Sequence, residues 1–439
     1  MKSIRLNGRG AQTPRGARFG ARAGAFVFAA LALALAACES AGPRVPIGPI
    51  GQGRPDETAP VDDRRPVVDA LVTPPHRASQ ADQLVRVGLL LPLSSPIDGV
   101  RAEAASMLNA AQLAIFETDS ERLVLIPKDT GGTADGARSQ ARAVLREGAE
   151  VILGPLLADS VRAAADEASV YDVPVIAFSN DQSVTETGAW LLSRTPAEEV
   201  RRVVQFSAEQ GIFTFAALVP SDDYGYGVLD SLEDEARAVG GFLTTFEEYP
   251  AGGDATMVDP AARRLSRVDQ RQGQGQAYEL PYDAVLLPEG GVQLLSIAPL
   301  LPYYDVDPRI TRFLGTSRWR DNLVANEPSL AGGWFPGPDA DALGVFENSY
   351  RAAFGGAPSR LAPLAYDAVL VTASLTRSFG AAGLSEEALT RSTGFRGADG
   401  LFRFNADHLS EHAMAIYEVR GGRFVVVDPA PAVFDPPVF

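Results

Sequence analysis

The 439-residue chain contains one cysteine, Cys38, and three histidines. A single cysteine cannot close an intrachain disulfide, which excludes a fold stapled by such bonds. The chain also lacks a Gly-x-Ser-x-Gly nucleophile elbow, a phosphate-binding glycine loop and a dinucleotide fingerprint. These absences remove the commonest nucleophile and nucleotide chemistries, so no cofactor is implied. Positive charge is in deficit, with 39 Lys and Arg against 55 Asp and Glu for a net charge of −16. Such a surface repels nucleic acid and anionic head groups, which leaves acidity as a source of solubility and names no partner.

What is present begins with charge asymmetry. Lys2, Arg5, Arg9, Arg15, Arg18 and Arg22 precede any acidic residue, and residues 23–37 form an apolar run. A cationic start, a short apolar core and small residues before a cleavage point read as a secretion signal over 1–37. The run falls short of the roughly 20 apolar residues a membrane span needs. Leu35-Ala36-Ala37-Cys38 resembles the bacterial lipobox, which implies cleavage before Cys38 and acyl chains on it. Two or more chains make stable anchoring expected. Glu39 in place of aspartate implies, by resemblance to enterobacterial sorting, the periplasmic face of the outer membrane. The mature chain would carry 33 basic against 55 acidic residues.

Residues 38–83 are rich in Pro, Gly and charge, with Pro43, Pro46, Pro49, Pro55, Pro60, Pro66, Pro74 and Pro75. Without regularly spaced apolar residues this stretch cannot bury a core, so a lipid-anchored tether is expected. Extended at roughly 3 Å per residue, it reaches on the order of 100 Å. From residue 84 the pattern alternates short apolar runs with segments of helical spacing. Runs apolar on both faces predict parallel strands covered by helices, an α/β fold. About 350 residues of this pattern exceed one ordinary core and predict two lobes. The polar stretch 271–279 reads as an insertion.

Several strings together resemble the type I periplasmic binding proteins of the leucine/isoleucine/valine-binding class. They are Val87-Gly88-Leu89-Leu90-Leu91-Pro92, Leu153-Gly154-Pro155-Leu156-Leu157, Val173-Pro174-Val175-Ile176-Ala177-Phe178-Ser179-Asn180, Asp222-Asp223-Tyr224-Gly225-Tyr226-Gly227, Tyr366-Asp367-Ala368 and Gly397-Ala398-Asp399-Gly400-Leu401-Phe402-Arg403-Phe404. The resemblance implies two lobes joined by three crossover segments, near Arg194, 332–338 and 395–400. Lobe one would then hold 84–194 and 338–395, lobe two 195–337 and 396–430, with a tail at 431–439. Within the class, Gly154-Pro155-Leu156-Leu157 followed by Val161 is similar to the lipoprotein activators of penicillin-binding proteins. The helical-repeat domain of the enterobacterial activator is replaced here by the Pro-rich segment.

Ligand chemistry in such a fold belongs at strand C-terminal ends facing the interlobe cleft. In lobe one these loops offer Leu93 and Ser94, then Leu156, Leu157 and Ser160, then Ser179 and Asn180. Leucines cannot hold a carboxylate, and amino-acid binders resemble one another in placing hydroxyls there. In lobe two, Asp222 and Asp223 are candidates for an ammonium or for helix capping. Tyr224, Tyr226, Glu289, Trp319 and Tyr366 complete the candidate cleft, and Trp334 suits a buried hinge position.

His408-Leu409-Ser410-Glu411-His412 matches a metallopeptidase string that requires a helix. Its flanks alternate as strands, which predicts a hairpin turn, so no metal is expected. By resemblance, the expected function is non-enzymatic activation of a penicillin-binding protein, a bifunctional peptidoglycan synthase reached from a lipid anchor. The alternative is a substrate-binding lipoprotein for an amino acid or other small polar ligand, serving an ABC transporter. A metal-dependent hydrolase built on His408 is a third reading.

Overall fold

The computed structural model describes residues 84–118, 122–271 and 279–434. The expected signal, Cys38, the 38–83 segment, most of the polar insertion and residues 435–439 lie outside the described residues. Among the described residues no helix is long and apolar enough to cross a membrane.

Lobe one opens with β1 (Val85–Leu91), α1 (Asp98–Glu117), β2 (Leu123–Asp129), α2 (Ala134–Arg146), β3 (Val151–Leu153), α3 (Ala158–Ser169), β4 (Val175–Ala177) and β5 (Trp190–Leu191). The strands form a parallel sheet in the order β2-β1-β3-β4-β5. Strand pleating explains why β1 is apolar throughout. Val85, Val87, Leu89 and Leu91 join Met107 and Ala111 of α1 on one face, while Leu90 joins Val144 of α2 and Val161 of α3 on the other.

Lobe two follows with α4 (Pro196–Glu209), β6 (Thr214–Pro220), α5 (Asp223–Ala238), β7 (Phe242–Tyr249), α6 (Ala255–Leu265), α7 (Val268–Arg271), β8 (Ala284–Leu286), α8 (Gly291–Ile297), α9 (Leu300–Tyr303), β9 (Arg312–Leu314), α10 (Asn322–Ala325) and β10 (Trp334–Gly337). Helix starts are set by side chains that accept otherwise orphaned N–H groups. Thr195 accepts from Glu198 N at 3.3 Å and Asp222 from Gly225 N at 2.9 Å. The same alternation recurs in β6, where Ala216 and Leu218 face one cluster and Phe215, Ala217 and Val219 the other.

The chain then returns to lobe one. In α11 (Ala340–Phe354), Leu343, Phe346 and Tyr350 pack on Ala110 and Leu113 of α1. In α12 (Ala362–Phe379), Ala365 and Val369 enter the β1 core. After α13 (Glu386–Leu389), β11 (Phe395–Gly397), β12 (Gly400–Phe404) and β13 (Ser410–His412) make a small antiparallel sheet. Phe395, Phe402 and Phe404 pack into lobe one's core. Residues 396–412 therefore sit with lobe one rather than, as expected, with lobe two, because burying these three rings outweighs the local hinge pattern.

Lobe two is completed by β14 (Ala415–Arg420) and β15 (Arg423–Asp428), in the sheet order β15-β14-β10-β9-β8-β6-β7. Strands β6 to β10 run parallel, as the repeating pattern predicts. The last two depart from it: β14 is antiparallel to both β10 and β15. The cause is local, since Gly421 and Gly422 join them with φ of 61° and 77°, a two-residue turn that only reverses direction.

Candidate functional site

A cavity of about 460 Å³ lies between the lobes. Its apolar wall comes from the starts of three lobe-one helices: Ile97 and Val100 at α1, Leu156 and Leu157 at α3, Leu361 and Leu364 at α12, with Phe178 after β4. Its polar floor is made by Arg194, Glu199, Ser317, Arg360 and Asp399, and Glu103 of α1, Asn180 and Ser193 add polar groups to the walls, the Glu103 carboxylate accepting from Leu361 N at 3.4 Å. The parallel sheet brings this about for α1 and α3, which follow β1 and β3 and so begin at the same sheet edge, while α12 follows α11.

Four of the floor residues, Arg194, Glu199, Ser317 and Asp399, form a connected network. Arg194 Nη1 donates to Asp399 Oδ2 at 2.6 Å, and its Nε stands 3.8 Å from Glu199 Oε1. Burial opposes the charge on Arg194, but Asp399 and Glu199 more than restore it and raise its pKa. Ser317 gives Glu199 both its backbone N–H, at 3.0 Å, and its hydroxyl, at 2.5 Å. Burial nevertheless pushes the Glu199 carboxyl above its ordinary value, against the pull of Arg194. Behind Asp399, Asp367 of α12 accepts from Ala398 N at 2.6 Å. Burial, then the neighbouring Asp399 charge, holds the Asp367 carboxyl well above the usual range.

Of the sequence-predicted residues, Leu156, Leu157 and Asn180 line this cavity. Ser179 lies buried beside it, its hydroxyl accepting from Asp181 N at 3.2 Å. Asp223, Tyr224 and Asn180 line a separate cavity of about 420 Å³ along α5. Tyr224 donates to Pro288 O at 3.0 Å beneath the Arg318 guanidinium, and burial pushes its hydroxyl up to about 12. Asp222 caps α5, and Tyr226 on the same helix points to solvent. Glu289 accepts from Tyr249 Oη at 3.0 Å.

Five candidates fall elsewhere. Ser160 and Trp319 are buried in the interiors of their lobes, and Trp319 Nε1 donates to Leu287 O at 2.9 Å. Leu93 packs on lobe one's core, and Ser94 is exposed with its N–H on Asp129 Oδ1. Tyr366 sits against Phe346, with its hydroxyl on Glu117. None of the five lines the cavity, which a residue's place in a motif does not reveal.

The histidine string forms a hairpin whose turn precedes Ser410. His408 stacks on Trp190 at 4.1 Å, while His412 on β13 faces Glu198, with Nδ1 3.3 Å from Oε2. Strand geometry and separate partners deny the two histidines the shared helical face that metal chemistry needs.

Residues 84–423 match the family described as periplasmic binding protein. The chain belongs to that family. As a binding-protein fold, it resembles a solved structure named as a branched-chain amino acid ABC transporter from Rhodospirillum rubrum, with 19% identity and a TM-score of 0.68 over 78% of this chain and 100% of that one. An ABC transporter substrate-binding protein from Sphaerobacter thermophilus gives 18% identity and 0.65, covering 80% and 98%. One from Desulfitobacterium hafniense, solved with Leu, gives 18% and 0.59 over 78% and 99%. A search of curated proteins finds no match. At these identities the structural likeness carries the binding-protein fold alone.

The residues that sequence reasoning missed are Arg194, Glu199, Ser317, Arg360 and Asp399. Arg194 stood at an expected crossover and Asp399 inside a quoted motif. A charged residue at a crossover of such a fold is therefore the usable signal.

Proposed function

We propose that this chain is the solute receptor of an ABC-type importer, carried in the periplasm and held to a membrane through Cys38. The observation that supports it is the 460 Å³ cavity with an apolar wall and a charged floor drawn from both lobes. Pockets of about 300–1,000 Å³ with few, fixed polar groups are the usual form of a small-molecule site. The solved relatives named for amino acid transport support the same reading, as does the binding-protein family. A thermal-shift screen of small organic solutes tests it. A saturable rise in melting temperature that is lost in Leu157→Arg is expected, and silence across the screen overturns it.

A second reading, activation of a penicillin-binding protein from the outer membrane, is supported by the lipobox-like Leu35-Ala36-Ala37-Cys38 and the Pro-rich segment after it. A tether with a reach on the order of 100 Å suits contact with a distant partner. Capture of a peptidoglycan synthase by the purified chain, with faster glycan polymerisation, supports this reading; no change in synthase rate at saturating receptor rejects it.

A further inference from the structure

A cavity of about 600 Å³ shares no lining residue with the interlobe cleft. One wall is the turn leading into β11 together with β11 and β12, and the other is the stretch 432–434 that follows β15. Three guanidinium side chains line it, Arg391, Arg396 and Arg403, and among the described residues no carboxylate does.

The protein holds each guanidinium in place. Arg391 Nε donates to Gly394 O at 2.8 Å, and its guanidinium lies 3.9 Å over the Phe395 ring. Arg396 Nη2 donates to Ala432 O at 2.7 Å. Arg403 Nε donates to Glu411 at 2.7 Å, and its guanidinium lies 4.5 Å over the Phe434 ring. Glu411 therefore neutralises Arg403. It lines a neighbouring cavity beside α4, where the other carboxylate, Glu198, is taken by His412.

Arg391 and Arg396 are left without such a partner. Among the described residues no carboxylate stands within ion-pair distance of either. Burial alone acts on the Arg391 guanidinium and lowers its pKa. Two like charges on one wall repel, and a chain with 55 acidic residues has ample means to relieve them. Local electrostatics left unmatched in this way are a mark of function. The Nη groups of Arg391, the Nε and Nη1 of Arg396 and the hydroxyls of Ser392 and Thr393 have no protein acceptor among the described residues. They are donors only or can donate, which suits an oxyanion. The net charge of −16 opposes an extended polyanion or an anionic membrane. A small ion, smaller than a Debye length of roughly 10 Å, responds instead to the two guanidiniums beside it.

We propose that this cavity is a second binding site, for a small doubly charged oxyanion, a phosphate or a dicarboxylate, held by Arg391 and Arg396 with the hydroxyls of Ser392 and Thr393. The site stands apart from the interlobe cleft and does not depend on the receptor reading.

Isothermal titration of the purified chain at pH 8 and constant ionic strength with inorganic phosphate, succinate and acetate tests it. At least one of the two dianions is expected to bind at least tenfold more tightly than acetate, and which of them does so separates the phosphate from the carboxylate source. Replacing both Arg391→Gln and Arg396→Gln should weaken that dianion at least tenfold. Should the double variant not fold, Arg396→Gln alone changes an exposed side chain and should weaken binding at least threefold. Dianions no tighter than acetate, or full binding in the variants, overturn the proposal. Loss of binding in Arg360→Gln with the double variant unaffected moves the anion to the interlobe cleft and overturns it too. Silence from all three anions also overturns it and leaves the receptor reading to its own screen.

Discussion

Arg194 and Asp399, 205 residues apart in the chain, meet in an ion pair of 2.6 Å at the junction of the lobes. Asp339, at the start of α11, adds its N–H to the carbonyl of Asp399 at 3.0 Å, so three distant stretches of chain converge on one residue. Both residues also line the cavity floor. Stability of the junction and chemistry of the cleft are therefore carried by the same side chains.

Removing one partner leaves the other charged and buried. Arg194→Ala is expected to lower the unfolding free energy by about 3–5 kcal/mol, since the uncompensated carboxylate is the costly product. Urea denaturation followed by tryptophan fluorescence measures it. A loss under about 1 kcal/mol would mean that water reaches Asp399 and screens it.

Asp367 makes stability depend on pH in a stated direction. Its folded value lies above the unfolded one of about 3.9, so between the two the native state keeps a proton that the unfolded chain has released. The stability from this group is fully present below about pH 4 and is lost as pH rises toward the folded value. Asp367→Asn should match the parent near about pH 4 and become progressively more stable than it toward about pH 8. Melting curves across that range check this, and a constant difference would show that the carboxyl is ionised throughout.

Gly397 lies against the same carboxyl. A Cβ added there would stand 2.3 Å from Asp367 Cγ, closer than any real contact. Gly397→Ala should cost about 1–3 kcal/mol through overpacking. Combined with Asp367→Ala, which removes the obstructing atoms, the loss should be smaller than the sum of the two single losses. Strict additivity in equilibrium unfolding would place the strain elsewhere.

Trp319 is fully enclosed in lobe two, and its indole N–H is on Leu287 O. Trp319→Ala is expected to cost about 3–5 kcal/mol, the cavity and the unpaired carbonyl acting together. Chemical denaturation reads the loss. A small effect would indicate that the surrounding α8 and β9 collapse into the space.

Cys38→Ser should move the chain from the membrane to the soluble fraction, because a serine cannot take a thioether-linked lipid. Fractionation followed by immunoblotting of the full chain is sufficient. Retention in the membrane fraction would assign anchoring to something other than this residue.

Apolar runs and helical spacing were enough to show the alternation of strands and helices from residue 84, because each repeats one local rule of burial. Leu156, Leu157 and Asn180 were legible as cleft residues for a related reason: they follow strands, and strand ends share an edge. Trp319 and Tyr366 were not, since which way a side chain turns depends on neighbours remote in sequence. The return of 396–412 to lobe one was equally hidden, being decided by Phe395, Phe402 and Phe404 finding β1's core.

Local patterning by itself determined the α/β class, the two-lobe size and the lipobox-like start, all of which rest on short-range periodicity and composition. Only the tertiary structure decided the charged floor. Arg194, Glu199, Ser317, Arg360 and Asp399 come from widely separated segments, and a lone charged residue carries no periodic signal. Their meaning lies in the cleft where the fold brings them together.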